Sequence, residues 1–336
     1  MTTRVAGVLN PGILLANGEY QVSKVLGQGG FGITYQGLDT KLNRAVAVKE
    51  FFPEGCWRKG TTVVSAGRWD KSSYTNAKKR FLHEGRTLGQ FNHPGIVRVY
   101  YYFEENNTAY MVMEYLQGKT LGELLEFRGG KLPQADALKY IQIIGQALDI
   151  VHQSQMLHQD IKPDNIMLTE DNRAVLIDFG AARDFAGHST TRFTTMLTPG
   201  YAPLEQYGQS LRCANYTDIY ALGATLYHLV TGFAPVSAIE RAAGVELKTA
   251  REINPEIGDR TSRSIDKAMA MNINERPQSV AEFLDLLSLD LDTSIPTPQT
   301  KISFFQSAKN PWDVFDSSHS AKQTDSLYDS NSDRWF

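Results

Sequence analysis

The apolar residues of this chain change their period near Gly118. Before it they alternate every second residue, and after it they recur every third or fourth. The first pattern builds strands with one buried face, and the second builds helices. Tyr20, Val22, Lys24 and Leu26 alternate with polar or small neighbours, four glycines follow, and Ile33 and Tyr35 resume the alternation. Ala45-Val46-Ala47-Val48 is a short run rich in valine that ends at Lys49. Residues 78–91 set Phe81, Glu84, Leu88 and Phe91 at helical spacing, and residues 96–103 and 110–115 read as two further strands. Beyond Gly118, Pro133 opens a helix with the stripe Leu138, Ile141, Ile144, Leu148 and Val151. Residues 217–231, 262–271 and 279–289 read as helices, the last with a capping box of Ser279 and Glu282. Strands gathered first and helices afterwards predict an α+β protein of two lobes. The expected layout is a small β-rich N-lobe with one helix, to about residue 115, and a larger helical C-lobe.

Residues 1–17 read as a loose lead-in and 18–289 as the folded domain. Residues 290–336 are rich in Ser and Thr, carry Pro296, Pro298 and Pro311, and are expected to be disordered. Phe304, Phe305, Trp312, Phe315, Trp335 and Phe336 leave that tail open to two readings, a spacer or a docking motif.

Charge and cysteine content narrow the function. Lys plus Arg number 34 against 37 Asp plus Glu, a formal charge of −3, so no nucleic-acid partner is expected. The apolar stretch near the start is broken at Asn10-Pro11-Gly12, so no signal peptide is read there. No window reaches the roughly 18–20 consecutive apolar residues of a membrane helix. Cys56 and Cys213 suit a reducing compartment and make no metal-ligand cluster. The expected location is cytoplasmic, with no membrane partner, and the oligomeric state is not legible.

Gly27-Gln28-Gly29-Gly30-Phe31-Gly32 has the form G-x-G-x-x-G. A dinucleotide fold would continue into a helix at this point. Ile33-Thr34-Tyr35 continues as a strand instead, which puts the glycines at a hairpin tip whose N–H groups are open to phosphate oxygens. Lys49 closes the next strand, and Glu84 is the candidate carboxylate to hold it. His158-Gln159-Asp160-Ile161-Lys162-Pro163-Asp164-Asn165 follows the long helix, and Asp178-Phe179-Gly180 follows a strand over 174–177. The oxygens of Asn165 and Asp178 suit Mg²⁺, which takes few protein ligands and many phosphate oxygens. Asp160 is left to receive a proton from an acceptor hydroxyl.

These motifs, in this order, resemble the signature set of eukaryotic-type (Hanks-type) Ser/Thr protein kinases of the bacterial branch. The resemblance covers roughly residues 18–289. It implies a bilobal protein kinase fold, ATP and Mg²⁺ (Mn²⁺ being possible) as cofactors, protein substrates, and autophosphorylation. Asp160 is then the catalytic base, Lys162 a γ-phosphate contact, Lys49 a phosphate contact paired with Glu84, and Asn165 and Asp178 the metal ligands. Leu26, Gly27, Gln28, Gly29, Gly30, Phe31, Gly32, Thr34, Ala47, Met113, Glu114, Leu116 and Met167 would bind the nucleotide, with Met113 as gatekeeper and residues 114–116 as hinge. Lys162 favours Ser/Thr over Tyr. Thr198 would bond Asp160 and Lys162, Glu205 would pair with Arg276, and Asp218 would anchor the catalytic loop. A small-molecule kinase and a non-catalytic scaffold remain as alternatives.

The chain departs from the family pattern in several places. Gln159 replaces the usual arginine before the catalytic aspartate. Loop hydroxyls at Ser189, Thr190, Thr191, Thr194 and Thr195 are thus expected to be phosphorylated without forming a strict switch. Thr34 stands for valine, and Pro203-Leu204-Glu205 for Ala-Pro-Glu. An insert at 50–77 lengthens the link from Lys49 to Glu84, with Thr61-Thr62-Val63-Val64 as a candidate hairpin. A plain loop, a regulator of the Lys49–Glu84 pair and a partner surface all fit that insert.

Overall fold

The computed structural model describes residues 7–30, 32–67, 69–179, 183–184, 197–208 and 212–288. Phe31, the five loop hydroxyls between 189 and 195, and the tail from 290 lie outside the described residues. The chain runs β1 Leu14–Leu15, β2 Tyr20–Gln28, β3 Gly32–Asp39, β4 Arg44–Phe51, β5 Trp57–Lys59, β6 Thr62–Val64, α1 Lys71–Leu88, β7 Val99–Glu105 and β8 Thr108–Glu114. It continues as β9 Gly118–Thr120, α2 Leu121–Phe127, α3 Gln134–Gln153, β10 Met156–Leu157, β11 Ile166–Thr169, β12 Ala174–Leu176 and β13 Arg183–Asp184. The last elements are α4 Leu204–Tyr207, α5 Asn215–Thr231, α6 Ala238–Ala242, α7 Ala250–Ile253, α8 Asp259–Ala268 and α9 Val280–Ser288. This is the α+β, two-lobed layout that the change of period predicts.

The N-lobe is a six-stranded antiparallel sheet in the order β1-β2-β3-β4-β8-β7. On β3 burial alternates strictly, with Ile33 and Tyr35 fully inside. On β2 the predicted alternation holds only through Val22. Register shifts after Val22 and after Val25 turn Lys24 and Leu26 outward. The expected loose lead-in joins the sheet instead: β1 pairs with β2, and Leu9 and Leu15 bury. Apolar side chains that fill the core tie the segment down from residue 8 onwards. Helix α1 starts seven residues before the predicted 78. Tyr74 and Ala77 carry the buried stripe of Phe81, Gly85 and Leu88 back into the first turns, and the start is set by Asp70, which accepts a 2.8 Å hydrogen bond from Ser73 N. β5 and β6 form the candidate hairpin within the insert.

In the C-lobe, α3 buries its predicted stripe, and α5 is buried almost all round as the central helix. Glycines let the helices approach closely. A Cβ at Gly223 of α5 would lie 2.7 Å from Ala268 of α8, and one at Gly145 of α3 would lie 2.9 Å from Leu284 of α9. The α9 capping box is half made: Ser279 Oγ accepts from Glu282 N, but the Glu282 carboxylate takes Gln278 N rather than Ser279 N. Among the described residues no helix is long and apolar enough to cross a membrane.

Glu205 and Arg276, 71 residues apart, meet in the C-lobe interior. Arg276 Nη1 and Nη2 donate to the two carboxylate oxygens at 2.6 and 3.3 Å, and Thr217 Oγ1 donates to Oε1 at 3.1 Å. Both side chains are essentially inaccessible. Removing one partner strands the other charge in the core. Arg276→Met is therefore expected to cost ~3–5 kcal/mol of unfolding free energy in urea titrations. The joint Glu205→Gln, Arg276→Met variant should lose less.

Candidate active site

The loop from 158 to 165 hangs between β10 and β11 and is held from below by Asp218 in the first turn of α5. The Asp218 carboxylate, wholly buried, accepts from His158 N at 2.8 Å, Gln159 N at 2.7 Å and His152 Nε2 at 2.8 Å. Burial pushes its pKa up, but the His152 hydrogen bond, the nearby imidazoles and Gln159 N–H prevail and hold it below the ordinary carboxylate value. Gln159 takes φ +65°, a left-handed conformation that costs a non-glycine residue roughly 1–2 kcal/mol. Asp218 on its N–H and Gln206 Nε2 on its carbonyl, at 2.9 Å, hold it there. Burial lowers the pKa of His158, whose ring packs against buried Phe179 with centroids 4.5 Å apart.

The chemical groups converge above this anchor. Asp160 Oδ1 accepts from Lys162 Nζ at 3.1 Å and Thr198 Oγ1 at 3.0 Å. Oδ2 accepts from Lys162 Nζ at 2.9 Å and Asn165 Nδ2 at 2.8 Å. Lys162 Nζ also reaches Thr198 Oγ1 at 2.9 Å. Asn165 spends its amide nitrogen on the Asp160 side chain and backbone, which leaves its carbonyl oxygen as a donor toward a cation. Ile177 N donates to Asn165 O at 3.0 Å, so Asp178, at φ +58°, follows directly beside it. Asn165 and Asp178 thus offer hard oxygens suited to a divalent metal.

Lys49 comes from the opposite lobe. On β4 it shares a face with Ala47, and it pairs with Thr34 on one side and Met111 on the other. Its Nζ lies 2.6 Å from Asp178 Oδ1 and 3.8 Å from Glu84 Oε1. Burial would lower its pKa, yet Asp178 and Glu84 hold it above the ordinary lysine value, so it is charged. Glu84 Oε1 is buried with no hydrogen-bond donor on it. Desolvation raises this carboxyl to about 7, against a lowering pull from Lys49. The lysine leans on Asp178, and Glu84 stands behind it.

The remaining predicted nucleotide residues that the structure describes lie on β2, β3, β4, β8 and β11 and in the turns beside them. Gly27 to Gly32 form the tip of the β2–β3 hairpin, closed by Gly29 N on Gly32 O at 2.9 Å; Gln28 pairs with Ile33. A Cβ at Gly27, Gly29 or Gly30 would meet nothing within 4 Å, whereas one at Gly32 would strike Glu50 O at 2.4 Å. Gly32 is required by the packing of β3 on β4, which the motif alone does not reveal. Ala47 and Met113 are buried and opposite each other, and Leu26 is 43 % exposed beside a register shift. Met167 and Leu116 are half-buried, on β11 and just past β8. Glu114 spends its N–H on Arg98 O and its carboxylate on Arg173 at 3.1 Å, a tie not anticipated from sequence.

The chain is similar to proteins already known. A family described as "Protein kinase domain" matches residues 20–312. Serine/threonine-protein kinase B of Synechocystis is 30 % identical over 289 residues, covering 82 % of this chain and 47 % of that protein. Serine/threonine-protein kinase PrkC of Bacillus subtilis is 30 % identical, over 80 % of this chain and 40 % of its own. The chain therefore spans less than half the length of these two relatives. A solved structure described as "PpkA-294 apo form" superposes with a TM-score of 0.73 at 32 % identity, covering 84 % of this chain and all of that one.

The raised carboxyl at Glu84 makes stability pH-dependent. Its pKa is about 7 in the fold against 4.5 ordinarily, so between those values the folded chain binds the proton that the unfolded chain releases. Stability falls as pH rises through that window, and the loss is complete above pH 7. Glu84→Gln has no such titration. Relative to Glu84→Gln, the wild type is expected to lose up to about 3 kcal/mol between pH 5 and pH 8, measured by urea denaturation at each pH.

Proposed function

The chain belongs to the protein kinase family, in its bacterial Ser/Thr branch, and from that premise we propose that it transfers the γ-phosphate of ATP to serine or threonine hydroxyls of proteins. The observation that carries this reading is the cluster around Asp160. One carboxylate is held by Lys162, Thr198 and Asn165, and a second, Asp178, follows Ile177, whose N–H donates to Asn165 O. Phosphoryl transfer asks a protein for alignment and for positive charge near the phosphate oxygens, and for little covalent chemistry.

In this reading Asp160 orients the acceptor hydroxyl and takes its proton as the new P–O bond forms and the bond to the ADP oxygen breaks. Lys162, 2.9 Å from Asp160 Oδ2, is placed to put its charge on the moving phosphoryl group. Lys49 is charged and reaches the α- and β-phosphates, with Glu84 limiting its swing. The N–H groups of the Gly27–Gly32 tip lie over the phosphates, and Ala47, Leu26 and Met167 hold the adenine ring. Asn165 and Asp178 would hold Mg²⁺, or Mn²⁺ in its place, and the ion supplies further positive charge to the phosphate oxygens when bound. The reaction belongs in the cytoplasm, where ATP is made available and where Cys56 and Cys213, which form no disulfide among the described residues, stay reduced.

Substitutions at two positions test the roles. Asp160→Asn keeps the shape and loses the proton acceptor. It is expected to lower kcat on a protein or peptide substrate at least ~100-fold with an unchanged thermal midpoint. Thr198→Ala removes a hydrogen bond to a charged group, and kcat should fall roughly ten- to a hundredfold while KM for ATP holds. Thr198→Ser should restore most of the rate. Turnover near the wild-type value in Asp160→Asn would remove Asp160 from the role of base.

A further inference from the structure

The residue after Lys49 is a glutamate, and it is fully buried. Consecutive residues of a strand face opposite ways, so Lys49 looks into the cleft and Glu50 into the other side of the N-lobe. There its carboxylate collects three donors: Tyr35 OH at 2.9 Å, Tyr110 OH at 2.8 Å and Arg58 Nη2 at 2.6 Å. Tyr35 lies on β3, Tyr110 on β8 and Arg58 on the insert hairpin. Arg58 goes on to donate to Gly7 O at 2.9 Å and Thr61 O at 2.6 Å, and its guanidinium stacks over Phe52 at 5.0 Å. Leu9 N donates to Tyr35 OH at 3.1 Å. One buried charge thus joins the N-terminal segment, the three central strands and the insert.

The insert also reaches the other two parts that handle the phosphates. Glu54 N donates to Gly30 O at 2.9 Å, fastening the glycine-rich tip. Trp69 buries its ring edge-on to Tyr74 of α1, with centroids 6.4 Å apart, and donates Nε1–H to Glu54 O at 2.8 Å. Phe51 packs on Tyr74 and Phe81 of the same helix, at 5.4 and 5.8 Å. That helix carries Glu84 one turn beyond Phe81. A buried ion pair is no more stabilising than a well-packed apolar pair of like volume. What it adds is direction, because each of its hydrogen bonds holds in one geometry only.

We propose that the segment from Glu50 to Trp69 is a brace that positions Lys49, Glu84 and the glycine-rich tip together, with Arg58 and Trp69 as its positioning residues. The brace does from within the chain what a separate activating partner would otherwise have to do for α1. The proposal rests on the kinase reading for the roles of Lys49 and Glu84, but its principal test does not depend on phosphate transfer.

The test uses the full chain and two variants. Glu50→Gln with Arg58→Met removes both buried charges at once, and Trp69→Phe keeps a ring but loses the bond to Glu54. Hydrogen–deuterium exchange is read in α1 and, as an internal control, in α5. ATP kinetics are read well below the thermal midpoint. Exchange in residues 71–88 is expected to rise at least tenfold in the double variant, and less in Trp69→Phe, with α5 unchanged. KM for ATP is expected to rise at least fivefold, by a larger factor than kcat falls. A lowered thermal midpoint with unchanged α1 exchange would overturn the proposal and leave the segment a structural filler. If the double variant does not fold, Trp69→Phe decides by the same exchange readout. A wild type that transfers no phosphate would sink the kinase reading, and the exchange result would still decide the brace.

Discussion

A carboxylate buried in the first turn of α5 decides the course of the loop from 158 to 165. Asp218 accepts the N–H groups of His158 and Gln159, and so turns the loop that delivers Asp160. Without those bonds the left-handed Gln159 has no reason to hold its conformation, and Asp160 does not meet Lys162, Asn165 and Thr198. The bonds form because α5 is buried on nearly every side and cannot shift to relieve a misfit. Glu205 and Arg276 add a second buried tie in the same lobe, between α4 and the turn before α9. The larger lobe is therefore a rigid base whose polar interior is spent on aiming one loop.

The smaller lobe meets the same problem with another hub. Its sheet must present Lys49 toward Asp178, and a strand can be aimed only from its opposite face. Glu50 supplies that purchase by drawing Tyr35, Tyr110 and Arg58 onto one carboxylate. In the cleft the charges are deliberately unequal. Lys49 is close to Asp178 and more distant from Glu84, so Glu84 pays the desolvation with little return and its carboxyl rises toward neutrality. The pair is thus sensitive to small movements of α1, which is the reason that the packing of Phe51, Trp69 and Tyr74 on that helix matters.

Much of this was legible in the residues. The hairpin at Gly27–Gly32, the stripe of α3 and the order of the charged motifs all follow from local spacing, whereas β4 runs two residues beyond its expected end at Lys49. Local spacing also explains the errors. The lead-in looked loose because Asn10-Pro11-Gly12 breaks its apolar residues into two short runs, and the burial of Leu9 and Leu15 depends on a sheet edge and on Tyr35, far along the chain. The early start of α1 went unread because Tyr74 and Ala77, which continue its apolar stripe, stand singly among Lys, Ser, Thr and Asn. Glu50 fell outside the expected strand, and only the two further residues of β4 bury it beside Arg58 of the insert.

The sequence by itself determined the two lobes and the motifs whose side chains gather around Asp160, because strand and helix periods and motif spacing are short-range properties. Only the tertiary structure decided that Lys49 sits nearer Asp178 than Glu84, that Gly32 is a glycine because Glu50 O lies against it, and that the insert is packed under β4 and α1 rather than hung as a plain loop. These depend on contacts between residues tens of positions apart. Their energies come from burial and from hydrogen-bond direction, and neither quantity exists until the lobes have closed around them.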